Sequence, residues 1–174
     1  MQTDGVQPFP FESLPGRPCP IAASLELVGE RWSLLVVREV SLGNHRFSEI
    51  VRGTGAPRDR LSARLRALVE AGVLERRQYG DSPARAGYHL TAAGRDLLPV
   101  LQGLLQWGNR WLTDSPPVEL RHTTAAHGEH ALDAEWTCRT CGEPVVGSGS
   151  RVERVLTPAG RALSAVPAED DGDR

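Results

Sequence analysis

The stretch Gly55-Ala-Pro-Arg-Asp-Arg-Leu-Ser-Ala-Arg-Leu-Arg-Ala-Leu-Val-Glu-Ala-Gly72 decides the fold that this chain is expected to adopt. Its apolar residues recur at helical spacing, so one stripe of the helix is predicted to face a core. That stripe consists of Leu61, Leu65, Leu68 and Val69. Pro57 suits a first helical turn and Gly72 suits a helix end. We therefore predict an amphipathic helix with a polar outer face.

The polar face of this helix is rich in arginine. Arg58 stands beside its N-terminal end, and Ser62 and Arg66 are predicted to face outward. The major groove of DNA admits a helix of this width, and guanidinium groups contact base edges there. These three residues are therefore the candidates for base contacts. The alternative interpretation is a solvated amphipathic helix with ordinary surface arginines.

The residues before this helix predict a helix-turn-helix. Helices are expected at residues 21–28, 31–42 and 47–51, and residues 52–55 form the turn before the opening helix. The second of them is expected to line up Trp32, Leu35, Val36 and Val40 along one side. Two short helices joined by a glycine-containing turn are the sequence form of a helix-turn-helix.

A β-hairpin is predicted directly after Gly72. Residues 73–79 and 87–90 form its strands, and residues 80–86 form its polar turn. A hairpin in this place is a wing, which can lie beside a phosphate backbone without reading base sequence. The candidate phosphate contacts are Arg46, Arg76, Arg77 and Arg85. The alternative is an ordinary hairpin with solvated arginines.

A long helix is predicted from Thr91, its capping residue, to about Leu112. Pro99 is expected to kink it near its second turn. A small domain cannot easily bury so broad an apolar side alone, so we expect a two-fold dimer through this helix. The candidate interface residues are Leu97, Leu101, Leu104, Trp107 and Trp111. Packing against the core of the same chain is the competing explanation.

Charge is distributed unevenly along the chain. The net charge is −2 overall, yet residues 20–112 carry 13 basic and 9 acidic residues, whereas residues 113–174 carry 6 and 11. A middle segment with excess positive charge is compatible with binding a polyanion. Every basic residue is arginine, which favours planar, bidentate contacts. An apolar run of 18 and a signal-peptide pattern are both missing from the sequence, so a cytoplasmic protein is expected.

From residue 19 to about residue 112, the sequence resembles the HxlR family of winged helix-turn-helix transcriptional regulators. The matching motifs, in order, are Cys19-Pro20, Gly29-Glu-Arg-Trp32, Arg46-Phe-Ser-Glu-Ile50, Leu61-Ser-Ala-Arg-Leu-Arg-Ala-Leu68, Glu70-Ala-Gly-Val-Leu74, Tyr88-His-Leu-Thr91 with Gly94, and Pro99 with Trp107-Gly108. The resemblance implies a homodimeric regulator that binds a double-stranded DNA operator. The expected fold is mainly α with a small β-hairpin: a winged helix-turn-helix domain with a long dimerisation helix.

Cys19 is the candidate redox-sensing residue. It stands at the start of a helix, where unsatisfied amides and the helix dipole favour a thiolate. The resemblance also places it where some family members use a cysteine to sense oxidants, quinones or aldehydes. Oxidation or alkylation there could displace the reading helices. The alternative is a small buried apolar residue.

A small C-terminal appendage is a candidate for zinc binding. It contains two pairs of metal-ligating residues, and each pair has two intervening residues. They are His127 with His130, and Cys138 with Cys141. Such pairs can place four nitrogen and sulfur atoms around one structural Zn²⁺ per chain, and His122 could replace either histidine. A reversible dithiol and a segment without special chemistry are the alternatives.

The expected domains are an N-terminal arm at 1–18, the winged helix-turn-helix domain at 19–112, a C-terminal extension at 113–160 and an acidic disordered tail at 161–174. Enzymatic function is not expected, because the βαβ context of a thiol oxidoreductase that would use Cys138 and Cys141 is missing. A winged-helix module that binds protein remains the alternative function. A small-molecule or electrophile effector is compatible with the sequence.

Overall fold

The computed structural model describes residues 10–14, 19–78, 86–145, 151–152, 155, 157–159 and 161. Its helices are α1 (Pro20–Val28), α2 (Ser33–Ser41), α3 (Phe47–Thr54), α4 (Arg58–Glu70), α5 (Ala92–Arg95) and α6 (Leu98–Trp111). Its strands are β1 (Leu74–Gln78), β2 (Ala86–Leu90), β3 (Arg121–Thr124) and β4 (Gly128–Ala131). A short 3-10 turn, Phe11–Ser13, precedes them. The chain divides into two compact units, which meet in sequence between Leu105 and Gln106.

Helix α4 lies against the centre of the first unit's core. Its three leucines, Leu61, Leu65 and Leu68, are fully buried, and Val69 packs partly buried beside them. The apolar stripe predicted from sequence is thereby confirmed. The core around them also contains Val36, Val37, Val40, Ile50 and Leu74. Burying a leucine side chain stabilises a fold by roughly 1.5–3 kcal/mol, so this stripe fixes which face of α4 is left for solvent.

The ends of α4 differ slightly from the prediction. Pro57 lies immediately before the first helical residue instead of within the first turn. Ala71 caps the other end, and Gly72 follows with a left-handed backbone, φ 71°. A left-handed residue ends a helix because it turns the chain away from the helix axis, and glycine adopts it without a steric penalty.

Helix α2 carries a buried carboxylate that the apolar pattern did not predict. Glu39 is 4% exposed. It accepts hydrogen bonds from Arg38 Nε (2.9 Å) and Asn44 Nδ2 (2.7 Å), and Arg38 also donates to the Gly53 carbonyl (2.8 Å). A buried charge needs such partners to offset its lost hydration. Arg38, which this carboxylate holds, therefore joins the end of α2 to the end of α3.

Helix α3 is longer than predicted, because it continues through Thr54 and not only to Val51. The Thr54 hydroxyl donates to the Ile50 carbonyl and accepts from the Ala56 amide. Helix α2, in contrast, is shorter than predicted at both ends. The compact turn between α3 and α4 gives the two helices the order and connection of a helix-turn-helix.

The hairpin after α4 is antiparallel, with Leu74 opposite Leu90 and Gln78 opposite Ala86. It is also tied to the loop between α2 and α3. The Tyr88 amide donates to the His45 carbonyl, and His45 Nδ1 lies 2.9 Å from the Tyr88 carbonyl oxygen. This two-way contact fixes the root of the hairpin against the helix-turn-helix.

The prediction of one long helix from Thr91 to Leu112 is wrong, because α5 ends at Arg95 and α6 begins at Leu98. Proline has no amide hydrogen and its ring collides with the carbonyl four residues earlier, so Pro99 separates the helices instead of kinking one. It occupies the first turn of α6, where proline is tolerated. The predicted cap is confirmed, since the Thr91 hydroxyl accepts from the Gly94 amide at 3.1 Å.

The second unit contains a hairpin that sequence analysis did not predict. Strands β3 and β4 pair with His122 opposite His130. A second small loop follows, in which Thr137 forms an isolated bridge with Pro144. Among the helices of the described ranges, none has the length and apolar composition required to span a bilayer. The proposed acidic tail, apart from residue 161, and most of the proposed N-terminal arm lie outside the described residues.

Candidate nucleic-acid interface

The outer face of α4 is open to solvent. Arg58, Ser62 and Arg66 are all exposed, whereas the leucines on the opposite face have no exposed surface. This separation is what a helix needs if it is to enter a groove while still anchoring itself to a core. The assignment of these three residues to base contacts remains a prediction.

Arg58 is positioned by an aromatic ring. Its guanidinium carbon lies 5.2 Å from the centroid of the Phe47 ring, at the start of α3. A guanidinium over a ring is held by the ring quadrupole, worth about 0.5–1 kcal/mol at exposed sites. The side chain is therefore partly ordered before any ligand arrives.

Arg64 is directed differently from the exposed arginines of α4. Its Nε lies 3.2 Å from Glu30 Oε2, and the side chain is 23% exposed. Because Arg64 is paired with Glu30, the exposed guanidinium groups of α4 are those of Arg58, Arg60 and Arg66.

The predicted phosphate contacts stand in different surroundings. Arg76 and Arg77 are exposed on β1, and Arg77 forms an ion pair with Glu75. Arg46 lies immediately before α3 and is 3.9 Å from Glu49, measured from Nε to Oε1. Arg85 lies outside the described residues. Carboxylates therefore partly offset two of these charges, and a phosphate would have to compete with them.

Two histidines form a cleft at the root of the hairpin. The rings of His45 and His89 stack with centroids 4.2 Å apart and planes inclined by 25°. They line a cleft of about 420 Å³ together with Gly43, Arg46, Glu49 and Gly87. We refer to it as the His45–His89 cleft. Sequence reasoning missed it, because the two histidines lie far apart along the chain and no local spacing connects them.

The pKa of His89 lies below its ordinary value. Burial is the largest cause, and the neighbouring His45 and Arg77 lower it further, while Glu75 acts in the opposite direction. Desolvation and nearby positive charge both disfavour the imidazolium form. In the free protein, the cleft therefore contains a His89 ring that favours the neutral state at neutral pH.

Cys19 is partly buried and immediately precedes α1, with an extended backbone at φ −146°. This is the helix-start position that the sequence predicted. Pro20 follows as the first helical residue and has no amide hydrogen to offer the thiol. The sensing role of Cys19 remains a prediction.

The candidate dimer residues divide into two groups. Leu97 and Leu101 are partly buried and pack against the core of the first unit. Leu104, Trp107 and Trp111 are exposed, with more than half of each side chain accessible. Packing within the chain thus accounts for Leu97 and Leu101. It does not account for the three exposed residues.

The histidines and cysteines of the second unit form separate pairs. The rings of His122 and His130 meet edge to face with centroids 5.1 Å apart, while His127 lies at the turn, next to the Thr124 hydroxyl. In the described part of the chain, no three histidine, cysteine, aspartate or glutamate residues approach closely enough to hold a metal ion. The structure does not bring the four predicted ligands together, and zinc binding remains a prediction.

Cys138 and Cys141 lie in a tight loop. The Gly142 amide donates to the Cys138 carbonyl at 2.8 Å, and the Cys138 amide donates to the Glu143 carbonyl at 2.9 Å. The pKa of the Cys138 thiol is lowered, first by the backbone amide of Cys141 and then by that of Thr140. Amides directed at a sulfur stabilise its thiolate, the form that binds metals and attacks disulfides.

The model of the HxlR-like helix-turn-helix family matches residues 27–116. The chain belongs to this family. Rv3095, an uncharacterized HTH-type transcriptional regulator of Mycobacterium tuberculosis (strain ATCC 25618 / H37Rv), is 47% identical over 127 residues, which cover 72% of this chain and 78% of the relative.

Solved structures support the same assignment for this HxlR-like protein. The crystal structure of PA1607, assigned as a transcription factor, has a TM-score of 0.64 and 32% identity, covering 79% of this chain and 95% of that one. PA1374 from Pseudomonas aeruginosa, likewise assigned, has a TM-score of 0.54 and 34% identity, covering 83% and 99%. The protein is thus an HTH-type transcriptional regulator with a winged helix-like fold, a class whose members are generally not enzymes.

Proposed function

We propose that this HxlR-like regulator binds its DNA operator sequence-specifically as a homodimer, with α4 in the major groove and the β1–β2 hairpin beside the backbone. The observation that carries the proposal is the division of α4 between fully buried leucines and an exposed face with Arg58, Ser62 and Arg66. A buried inner face holds the helix rigidly, so its outer side chains reach a groove at a fixed angle.

A dimer would supply the second reading helix. Two copies of α4 would enter successive major grooves about 34 Å apart, as in other helix-turn-helix dimers. The exposed Leu104, Trp107 and Trp111 of α6 support this arrangement, because large apolar side chains concentrated on one helix mark association surfaces. Ile21 and Leu25 of α1 are also exposed and are further candidates for the interface.

The polar side chains of the proposed interface would make two kinds of contact with DNA. Arg58, Ser62 and Arg66 would contact base edges, and Arg46, Arg76, Arg77 and Arg85 would contact phosphates. Arg77 would exchange Glu75 for a phosphate oxygen, so its net contribution would be reduced by the broken ion pair. Removing a phosphate contact should weaken binding to every DNA sequence alike. Removing a base contact should instead change which sequence is preferred.

The DNA upstream of the protein's own gene provides the test. We expect fluorescence anisotropy at fixed salt to show binding that weakens as salt rises. Arg66→Ala should lose about 1–3 kcal/mol and relax one base position, whereas Arg77→Ala should weaken all sites equally. Arg121→Ala is the control, because Arg121 is exposed in the second unit and paired with Glu119 and Glu129. If both Arg66→Ala and Arg77→Ala leave affinity intact, the docking is wrong.

Dimerisation can be tested separately from DNA binding. Trp111→Glu would place a charge on the exposed apolar side of α6 and should convert a dimer to monomers in sedimentation experiments. Because Trp111 is 63% exposed in the single chain, the variant should retain the helix content of the parent protein. A dimer that persists in Trp111→Glu and in Trp107→Glu would contradict the assignment of α6.

A thiol response through Cys19 is the regulatory part of the proposal. The partly buried thiol immediately precedes α1, so a bulky adduct there would disturb the packing of that helix. Treatment with diamide or methylglyoxal should reduce DNA affinity, and Cys19→Ser should prevent the reduction. Equal loss of affinity in the parent protein and in Cys19→Ser would exclude Cys19 as the sensor.

A winged-helix module that binds protein is the competing function, since residues 20–112 carry only 13 basic residues against 9 acidic ones. Salt dependence separates the two. Absence of any salt-dependent shift of the upstream DNA would favour the protein-binding module.

A further inference from the structure

We propose that the His45–His89 cleft receives one phosphate of the DNA backbone, and that the stacked histidine pair takes up a proton as the phosphate enters. This inference rests on the proposed DNA-binding function and adds a defined contact and a pH dependence to it. Neither histidine is among the residues that the sequence analysis assigned to DNA.

The position of the cleft relative to the helix-turn-helix supports a backbone contact. Arg46 lines the cleft and directly precedes α3, while Arg58 of α4 packs on Phe47, the first residue of α3. In helix-turn-helix complexes the first helix of the motif crosses the DNA backbone while the second enters the groove. Here those helices are α3 and α4, so a phosphate beside the start of α3 is expected at this cleft.

The Arg46 amide at the start of α3 is already bonded within the chain, because Glu49 Oε2 accepts its hydrogen at 2.9 Å. The charge that would attract an anion into the cleft comes from side chains. Arg46 supplies one permanent positive charge, and the two imidazoles supply charge only when they are protonated.

The tautomer of His45 shows where its proton would go. A carbonyl oxygen only accepts hydrogen bonds, so the contact of His45 Nδ1 with the Tyr88 carbonyl requires hydrogen on Nδ1. Neutral His45 then carries its lone pair on Nε2. Protonation at Nε2 leaves the Tyr88 contact intact, so the pair can gain charge without releasing the hairpin.

Burial, together with neighbouring charge, disfavours a proton on His89 before an anion arrives. His45 and Arg77 disfavour a proton on His89, and Glu75 of β1 favours it. Glu49 and Arg46 line the same cleft, so α3 contributes one charge of each sign. A phosphate would add negative charge where two imidazoles and Arg46 converge. Opposite charge within about 4–6 Å favours the protonated imidazole, so phosphate entry and proton uptake reinforce each other.

The experiment measures the affinity for upstream DNA from pH 8 to pH 6 at constant salt. Uptake of one proton would tighten binding per protomer by up to about tenfold per pH unit over part of this range. His89→Gln should flatten the dependence, because glutamine keeps a polar side chain but does not titrate there. His122→Gln is the control, since His122 also contacts a second histidine, edge to face, but lies in the other unit; it should retain the parent dependence.

Histidine pKa values measured by NMR, with and without DNA, separate the proposed role from a merely structural one. Addition of DNA should raise the pKa of His89, while inorganic phosphate alone at millimolar concentration should leave it unchanged. An equal rise with inorganic phosphate would identify a site for free anions and overturn the backbone assignment. DNA binding with a pH dependence identical in the parent protein and in His89→Gln would overturn the inference while leaving the proposed function standing. Failure to bind DNA at all would remove both.

Discussion

The Arg64 guanidinium of α4 and the Glu30 carboxylate form an ion pair, with Nε and Oε2 3.2 Å apart. The same carboxylate accepts a hydrogen bond from the Trp32 amide at 2.9 Å, just before α2. Glu30 therefore connects the beginning of α2 to the middle of the proposed reading helix. It links the packing of the helix-turn-helix to the orientation of the surface that is proposed to contact DNA.

Arg64→Ala is expected to affect stability and DNA affinity differently from Arg66→Ala. The Arg64–Glu30 pair is partly exposed, so its loss should lower the free energy of unfolding by about 1 kcal/mol or less. DNA affinity should fall less than for Arg66→Ala, because Arg64 is held by Glu30 and Arg66 is exposed. Urea denaturation and anisotropy titrations measure both quantities. A larger loss of affinity for Arg64→Ala would show that the paired arginine is itself a DNA contact.

Gly53→Ala should destabilise the first unit. A Cβ at Gly53 would collide with the Glu39 carboxylate, which is buried and already bound to Arg38 and Asn44. Overpacking of this kind typically costs about 1–3 kcal/mol, so we expect the free energy of unfolding of Gly53→Ala to fall by roughly that amount. Gly103→Ala is the matched control, because nothing lies within 4 Å of a Cβ there. It should stabilise α6 by about 0.5–1 kcal/mol. Similar losses in both variants would contradict the Glu39 arrangement.

The stability of the free protein should decrease as the pH falls below the ordinary histidine pKa of 6.5. His89 has a lowered pKa in the folded chain, so below pH 6.5 the unfolded chain binds more protons than the folded one. The stabilisation is therefore present above pH 6.5 and is lost as the pH falls through the folded-state pKa. Thermal melts from pH 8 to pH 5 should show this loss, and His89→Gln should reduce it. An unchanged pH profile in the variant would remove His89 as the cause.

Cys138 should react with iodoacetamide faster than Cys141 at neutral pH. Amides of Cys141 and Thr140 lower the pKa of the Cys138 thiol, so a larger fraction is thiolate. Mass spectrometry after short exposure measures the ratio of the two adducts. Faster labelling of Cys141 would contradict the amide contacts described for this loop.

Zinc binding by His127, His130, Cys138 and Cys141 has a separate test. Elemental analysis of the purified protein should find about one zinc per chain if the four residues form a tetrahedral site. Cys138→Ser should then lose the metal. His122→Ala and His127→Ala would show which histidine is used, since the structure pairs His130 with His122. Protein prepared without chelators that contains no zinc would refute the site.

The sequence alone determined most elements of the winged helix-turn-helix domain, because helical periodicity and short turns are local properties. The leucine stripe of α4, the Thr91 cap and the hairpin after Gly72 were all predicted from spacing. Pro99 indicated that the helix after Thr91 is disturbed, and the sequence analysis interpreted it as a kink. The packing around the proline decides between a kink and a break, so the sequence did not distinguish them.

Only the tertiary structure decided which polar residues meet. Glu39 with Gly53, Arg64 with Glu30 and His45 with His89 are contacts between separate elements, and periodicity contains no information about them. The β3–β4 hairpin was missed because its exposed strands lack an apolar alternation. Periodicity determines which face of each element is buried, whereas the pairing of charges and rings depends on how those faces pack in three dimensions.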